Sequence, residues 1–69
     1  MKQQILQFIQ KRHVEKIETK RVTHYITFRE INEHFGGVDR MHLRELVKEK
    51  QVEHGRTIND FWFAPIFNQ

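Results

Sequence analysis

The first third of the chain changes from a helical to an extended pattern of apolar residues. From residue 2 to about residue 17, apolar side chains such as Ile5, Leu6 and Ile9 recur with a helical period, and glutamine and lysine occupy the opposite side. The following stretch, KIETKRVTHYIT, gains β-branched and aromatic residues and loses that period. The pattern therefore predicts a first helix, a loop, and a short extended piece around Tyr25 to Thr27 that can pair as an edge strand.

A second, shorter helix is predicted over residues 28–35. Thr27 is followed three residues later by Glu30, which is the capping-box spacing in which each side chain satisfies the other residue's free backbone amide. The apolar positions that follow have helical spacing: Phe28, Ile31 and Phe35. The glycine pair at 36 and 37 then supplies the positive-φ residue that ends a helix in a left-handed cap.

A third helix is predicted from about residue 39 to about residue 50. Asp39 is a favourable N-cap, and the apolar face of this helix carries Leu43, Leu46, Val47 and the aliphatic stem of Lys50. Only about four residues link it to the second helix. Two short helices joined by such a glycine-containing turn are typical of a helix-turn-helix motif.

A β-hairpin is predicted after the third helix, over about residues 51–64. The segments QVEH and DFWFA have strand composition, and they flank GRTIN, in which Gly55 and Asn59 suit a turn. Pro65 has no amide hydrogen to donate and is expected to end the second strand.

The order helix, short extended piece, helix, turn, helix and hairpin resembles the winged helix-turn-helix superfamily over nearly the whole chain. The most telling stretch, LRELVKEKQVEHGRTINDFWFAP, looks like the recognition helix and wing of bacterial winged-helix regulators, although Lys50-Gln51 stands where such helices often end in glycine. The resemblance implies one α+β, mostly α domain over residues 1–69: a three-helix winged helix-turn-helix with a C-terminal two-stranded hairpin wing. It also implies a small DNA-binding transcriptional regulator from a bacterium, phage or mobile element.

Composition restricts the possible classes of protein. With 69 residues, 38% of them apolar and none of them cysteine, the chain fits one small domain held by packing, without disulfides or thiolate zinc sites. It contains no apolar run near the roughly 18 residues of a membrane span and no secretory signal, so we expect a cytoplasmic protein with no membrane partner. The net charge is +3 with a pI near 9.6, and residues 1–27 carry six basic against two acidic groups. This charge favours an anionic partner such as nucleic acid.

The third helix carries the main candidate DNA contacts. Arg40, Arg44 and Lys48 form one stripe at i, i+4 and i+8, with Met41 beside it. If this helix enters a major groove, the two arginines would reach guanine edges or phosphates. Lys48 would bind a phosphate, and Met41 would contact a thymine methyl group. The alternative is a solvated face on which Arg44 or Lys48 pairs with neighbouring glutamates, for example those at 45 and 49.

Further candidate contacts come from the hairpin and from the basic run after the first helix. The resemblance implies that Arg56, at the expected wing tip, reaches a minor groove or a phosphate, and that Thr57 bonds a phosphate. Lys20 and Arg21 are candidates for phosphate contacts, whereas Lys16 is explained as a favourable cation near a helix C-terminus. Solvated surface is the alternative for each. The expected partner is double-stranded DNA, with a homodimer or a partner protein extending the short site that one domain covers.

The aromatic C-terminus supports a rival function. Phe61, Trp62 and Phe63 must alternate across a strand, so an aromatic side chain is left on the outer face. Either Ile66 and Phe67 fold back over it, or Trp62, Ile66 and Phe67 form an apolar patch for a partner protein. The rival is a winged-helix protein-interaction module, such as a phage modulator of a host protein. A third hypothesis is a replication or recombination accessory factor that binds DNA.

The sequence has no enzyme signature. It contains neither cysteine nor serine and no glycine-rich phosphate loop, and its five histidines are 8 to 12 residues apart, without the i, i+3 or i+4 partner of a helical metal site. We therefore expect no catalytic activity, metal, cofactor or small-molecule ligand.

Overall fold

A computed structural model describes residues 1–19 and 25–66 of the chain. Its elements, in chain order, are α1 (Lys2–Glu18), β1 (Ile26–Thr27), α2 (Phe28–Phe35), α3 (Arg40–Lys48), β2 (Val52–Arg56) and β3 (Phe61–Pro65). The three strands form one antiparallel sheet in the order β1-β3-β2. This architecture confirms the expected α+β, mostly helical class, and the short piece before α2 does pair as an edge strand. No helix in the described residues has the length and apolar character needed to cross a membrane.

The hydrophobic core receives side chains from all six elements. Its members are almost completely buried: Ile5, Leu6, Ile9, Ile26, Ile31, Leu43, Leu46, Val52 and Phe63. A domain of this size can bury only a modest fraction of its surface, in a single core. Every element must therefore contribute apolar surface for the domain to be stable.

Local signals define α2 at both ends. The Thr27 side chain accepts a hydrogen bond from the backbone amide of Glu30, at 3.2 Å, which confirms one half of the predicted capping box. The Glu30 carboxylate does not take the other half and accepts from the ammonium group of Lys16 instead. Gly36 follows with φ of 72°, the left-handed conformation that glycine adopts without steric cost. The observed bounds are those predicted for this helix.

The end of α3 corrects the predicted range. The helix stops at Lys48 rather than continuing to residue 50, because Lys50 adopts φ of 59°. The amide of Lys50 donates to the carbonyl of Val47, and the amide of Gln51 donates to that of Leu46, which together form a Schellman motif. Lys50 thus occupies the position that glycine usually takes, and its side chain is exposed rather than part of the apolar face.

The hairpin turn lies further along the chain than predicted. Gly55 and Arg56 belong to β2, where Gly55 pairs with Trp62 and Arg56 with Phe61, so neither residue forms the tip. The turn runs from Thr57 to Asp60. The prediction placed Gly55 in the turn because glycine is a common turn residue, but here its missing side chain makes room for the indole ring of Trp62.

A partly buried ion pair connects α1 to α2. Lys16 is only 5% exposed, and its ammonium group donates to a carboxylate oxygen of Glu30 and to the backbone carbonyl of Tyr25, each at 2.7 Å. Lys16 does lie in the last turn of α1, as expected for a cation near a helix C-terminus, but solvated surface, the alternative for this residue, is wrong because the side chain is buried. The long side chain crosses to the neighbouring elements and satisfies their acceptors.

Candidate nucleic-acid interface

A groove of about 600 Å³ lies between α3 and the hairpin. Its lining contains basic, aromatic and aliphatic side chains and no acidic residue: Phe28, Arg40, Leu43, Arg44, Val47, Lys48, His54, Phe61 and Phe63. We call it the α3–hairpin groove. Its apolar floor and basic rim favour an anionic occupant that also presents apolar surface.

The orientation of α3 places the predicted basic stripe on this groove. Leu43 and Leu46 face the core, so the stripe of Arg40, Arg44 and Lys48 lies on the accessible side of the helix. The turn before α3 is held by hydrogen bonds: the amide of Val38 donates to the side-chain oxygen of Asn32, and the Asp39 carboxylate accepts from the amide of Met41, both at 2.9 Å. The predicted stripe residues therefore come together on one surface.

Aromatic rings position two of the guanidinium groups. The guanidinium carbon of Arg40 lies 5.3 Å from the ring centre of Phe28 and 5.9 Å from that of Phe61, and the guanidinium carbon of Arg56 also lies 5.9 Å from the Phe61 ring centre. Cation–π contacts of this kind hold charge in place without neutralising it. Positive charge from α3 and from β2 is thereby held within 6 Å of the centre of one ring.

The glutamates in and just after α3 are directed away from the basic stripe. Glu45 and Glu49 both contact the ammonium group of Lys2, at 3.2 and 2.7 Å, and these hydrogen bonds, led by Glu49, raise the pKa of Lys2 above its usual 10.5. Among the described residues, Arg44 and Lys48 take part in no ion pair. The alternative in which these two cations pair with Glu45 and Glu49 is therefore not the arrangement found.

The hairpin turn is held by its own hydrogen bonds. The Thr57 hydroxyl donates to the carbonyl of Asp60 and accepts from its amide, at 2.8 and 2.9 Å, and the amide of Thr57 donates to the same carbonyl at 2.7 Å. The Asp60 carboxylate accepts from the amides of Arg29 and Phe61, at 3.2 and 2.8 Å. Thr57, a predicted phosphate contact, thus shapes the turn, and Asp60 joins it to the first turn of α2.

Three apolar side chains on α3 and the hairpin are exposed. Ile58 is 98% exposed at the tip of the turn, Met41 is 62% exposed on α3, and Phe61 is 37% exposed at the groove. The prediction named Met41 but did not single out Ile58 or Phe61 for DNA binding. The period-two register of the hairpin, which puts Phe61 on the same face as Arg56, is the signal that could have identified Phe61.

The residues of the rival apolar patch are partly engaged within the fold. The Trp62 ring lies over Gly55 and contacts the ring of Tyr25, with centroids 4.2 Å apart, and it is half-buried. The amide of Ile66 donates to the carbonyl of Gln51 at 2.9 Å. Phe67, like the predicted DNA contacts Lys20 and Arg21, lies outside the described residues.

Comparisons of the chain with family models, curated proteins and solved structures find no match. Within the described residues, no three histidine or acidic side chains come together in an arrangement that could hold a metal ion.

Proposed function

We propose that this chain is a DNA-binding protein in which α3 enters the major groove of a duplex and the hairpin contacts the adjacent backbone as a wing. The observation that carries the proposal is that Arg44 and Lys48 of the basic stripe form no ion pair with any other described residue and border a groove without acidic residues, while Glu45 of α3 and Glu49 just after it pair with Lys2. A solvated helix face would be expected to mix the two signs of charge.

The topology supports a winged helix-turn-helix arrangement. The α2–turn–α3 unit presents the accessible side of α3, and the hairpin β2–β3 follows α3 directly and borders the same groove. β1 extends the hairpin to three strands and leads without a break into α2. In this arrangement the second helix of the motif reads the bases and the hairpin holds the sugar-phosphate backbone.

The residue roles follow from position and chemistry. Arg44 and Arg40 reach guanine edges or phosphates, Lys48 binds a phosphate, and the exposed Met41 contacts a thymine methyl group. Arg56, held on Phe61, binds the backbone beside the wing.

The proposed biological role is transcriptional regulation, with a homodimer or partner protein extending the site. A replication or recombination accessory factor would use the same surface. A protein-interaction module would depend on Trp62 instead, and the contacts of Trp62 with Tyr25 and Gly55 leave less of its ring free for a partner.

The test is the fluorescence anisotropy of a labelled random-sequence duplex, titrated with the protein at several salt concentrations. We expect a micromolar Kd whose logarithm changes linearly with that of the salt concentration, with a slope of about 0.9 per phosphate contacted. Lys48→Glu should raise Kd about tenfold or more and reduce the slope by about one contact.

The matched control is Lys11→Glu, which makes the same change of charge. Lys11 is exposed on α1 and borders a second groove, between α1 and α2, that also contains Glu15 and Glu33. We expect this variant to change Kd less than about threefold, because long-range surface charge is screened. Equal effects of both substitutions, or no binding at low salt, would refute the proposed interface.

A further inference from the structure

Ile58 is more exposed than any other large apolar residue in the described part of the chain. Its exposed fraction is 98%, and the next highest value is 62%, for Met41. In a domain of this size nearly every large aliphatic side chain is needed for the core. An isoleucine that contacts nothing at the tip of a hairpin contributes no packing to the folded chain.

The turn presents Ile58 in a defined position. Three hydrogen bonds between Thr57 and Asp60 close the turn on either side of residues 58 and 59. The Asp60 carboxylate then ties it to the amide of Arg29 in α2. Because the backbone of the turn is already held, it loses little conformational freedom when the side chain of Ile58 becomes buried in a complex.

The surroundings of Ile58 favour an anionic partner. Arg56, two residues before it, holds its guanidinium on the ring of Phe61, and the nearby carboxylate of Asp60 is occupied by two backbone amides. An apolar tip next to fixed positive charge is complementary to a groove of DNA, where anionic phosphates flank bases and sugars that present apolar surface.

Resting on the function proposed above, we propose that Ile58 is an apolar wedge that inserts into the minor groove of the duplex bound by α3. With α3 in the major groove, the five-residue strands of the hairpin, about 17 Å long, can cross one backbone to the neighbouring minor groove. That groove is about 6 Å wide, which admits a single side chain on a tight turn. Ile58 then packs against sugars and a base step, as the apolar wedges of minor-groove proteins do.

Minor-groove insertion gives a form of selectivity that α3 does not supply. The guanine 2-amino group projects into the minor groove, so an inserted isoleucine should favour base pairs that lack it. The protein should therefore distinguish duplexes that present the same pattern of groups in the major groove.

The experiment compares two labelled duplexes of one sequence, one containing G·C pairs and the other inosine·C pairs. Inosine lacks the 2-amino group and leaves the major-groove pattern of guanine unchanged. We expect the wild-type chain to bind the inosine duplex roughly three- to tenfold more tightly. Ile58→Ser should lose this preference and bind the inosine duplex roughly five- to twentyfold more weakly, because the serine side chain buries little apolar surface.

The controls separate this inference from the proposed function. Asn59→Ser alters the neighbouring exposed position of the same turn and should retain the preference, and all variants should keep the wild-type melting temperature. Ile58→Ser should also leave the salt dependence of Kd unchanged, since it removes no cation.

A preference for the inosine duplex that persists in Ile58→Ser would refute the insertion of Ile58 into the minor groove. Equal binding of both duplexes by the wild-type chain would refute it as well. The proposed function would stand in that case if Lys48→Glu still weakened binding selectively. Absence of wild-type binding to either duplex would refute both.

Discussion

Gly55→Ala tests the packing that fixes the hairpin. A Cβ atom added at position 55 would meet atoms Cε2, Cζ2 and Nε1 of the Trp62 indole well inside the 3.4–4 Å range of ordinary van der Waals contact. The indole would have to move, and it is already in contact with the ring of Tyr25, which directly precedes the neighbouring strand β1. The substitution should therefore displace Trp62 and weaken the sheet.

Two opposing effects determine the size of the change. Overpacking of this kind costs about 1–3 kcal/mol, whereas replacing glycine by alanine in a strand otherwise stabilises by roughly 0.5–1 kcal/mol. The φ of Gly55 is not in the left-handed region, so alanine introduces no backbone strain there. The difference between these ranges is a net loss of about 0–2.5 kcal/mol; we expect a value near its middle, about 1.2 kcal/mol, which for a domain of this size lowers Tm by about 5–10 °C.

Thermal unfolding followed by circular dichroism measures the loss of stability, and fluorescence reports the displacement, because Trp62 is the single tryptophan of the chain. The control is the same substitution in a Trp62→Leu background, where the clashing ring atoms are absent and Gly55→Ala should be neutral or stabilising. If Gly55→Ala left Tm and the Trp62 emission unchanged in the wild-type background, the close packing of Trp62 on Gly55 would be wrong.

Two further predictions concern ion pairs. Lys16→Met should lower the free energy of unfolding by about 1–3 kcal/mol in urea titrations, because the Glu30 carboxylate would then be paired only with the guanidinium of Arg12, 3.6 Å away. The double variant Lys16→Met with Glu30→Gln should recover part of this loss. A single variant as stable as the wild-type chain would contradict the role of the pair. Because the carboxylates of Glu49 and Glu45 raise the pKa of Lys2, this group stabilises the fold at pH values below its unfolded pKa of 10.5, and the contribution is lost as the pH rises through the higher folded pKa. Tm of the wild-type chain should thus fall towards that of Lys2→Gln at high pH, and a difference independent of pH would count against this linkage.

Elements with local start and stop signals could be predicted from the sequence. The bounds of α2 follow from the Thr27–Glu30 spacing and the glycine at 36, because the contacts that begin and end this helix lie within a few residues of it. The end of α3 could not be predicted in this way, since a lysine adopts the left-handed conformation there.

For the candidate interface too, local spacing could be predicted from the sequence, but contacts between distant residues could not. The spacing of Arg40, Arg44 and Lys48 was sufficient to place them on one side of a helix. It could not show that the glutamates in and just after that helix would pair with Lys2, more than 40 residues away in sequence. The position of Gly55 in β2 depends on the ring of Trp62 across the hairpin, and the burial of Lys16 depends on acceptors in other elements. Tertiary contacts of this kind leave no periodic signal in the chain.

The double role of Asp60 constrains how this protein can vary. One carboxylate accepts the amide of the next residue in β3 and an amide in the first turn of α2, so the hairpin turn and the start of a helix share a single anchor. A substitution that removed the Asp60 carboxylate would take away the acceptor of the Phe61 amide in the hairpin and the acceptor of the Arg29 amide in α2 in the same event. Position 60 is therefore less free to vary than surface loop positions usually are, and a relative with a different residue there would need a new acceptor for the amide of residue 29.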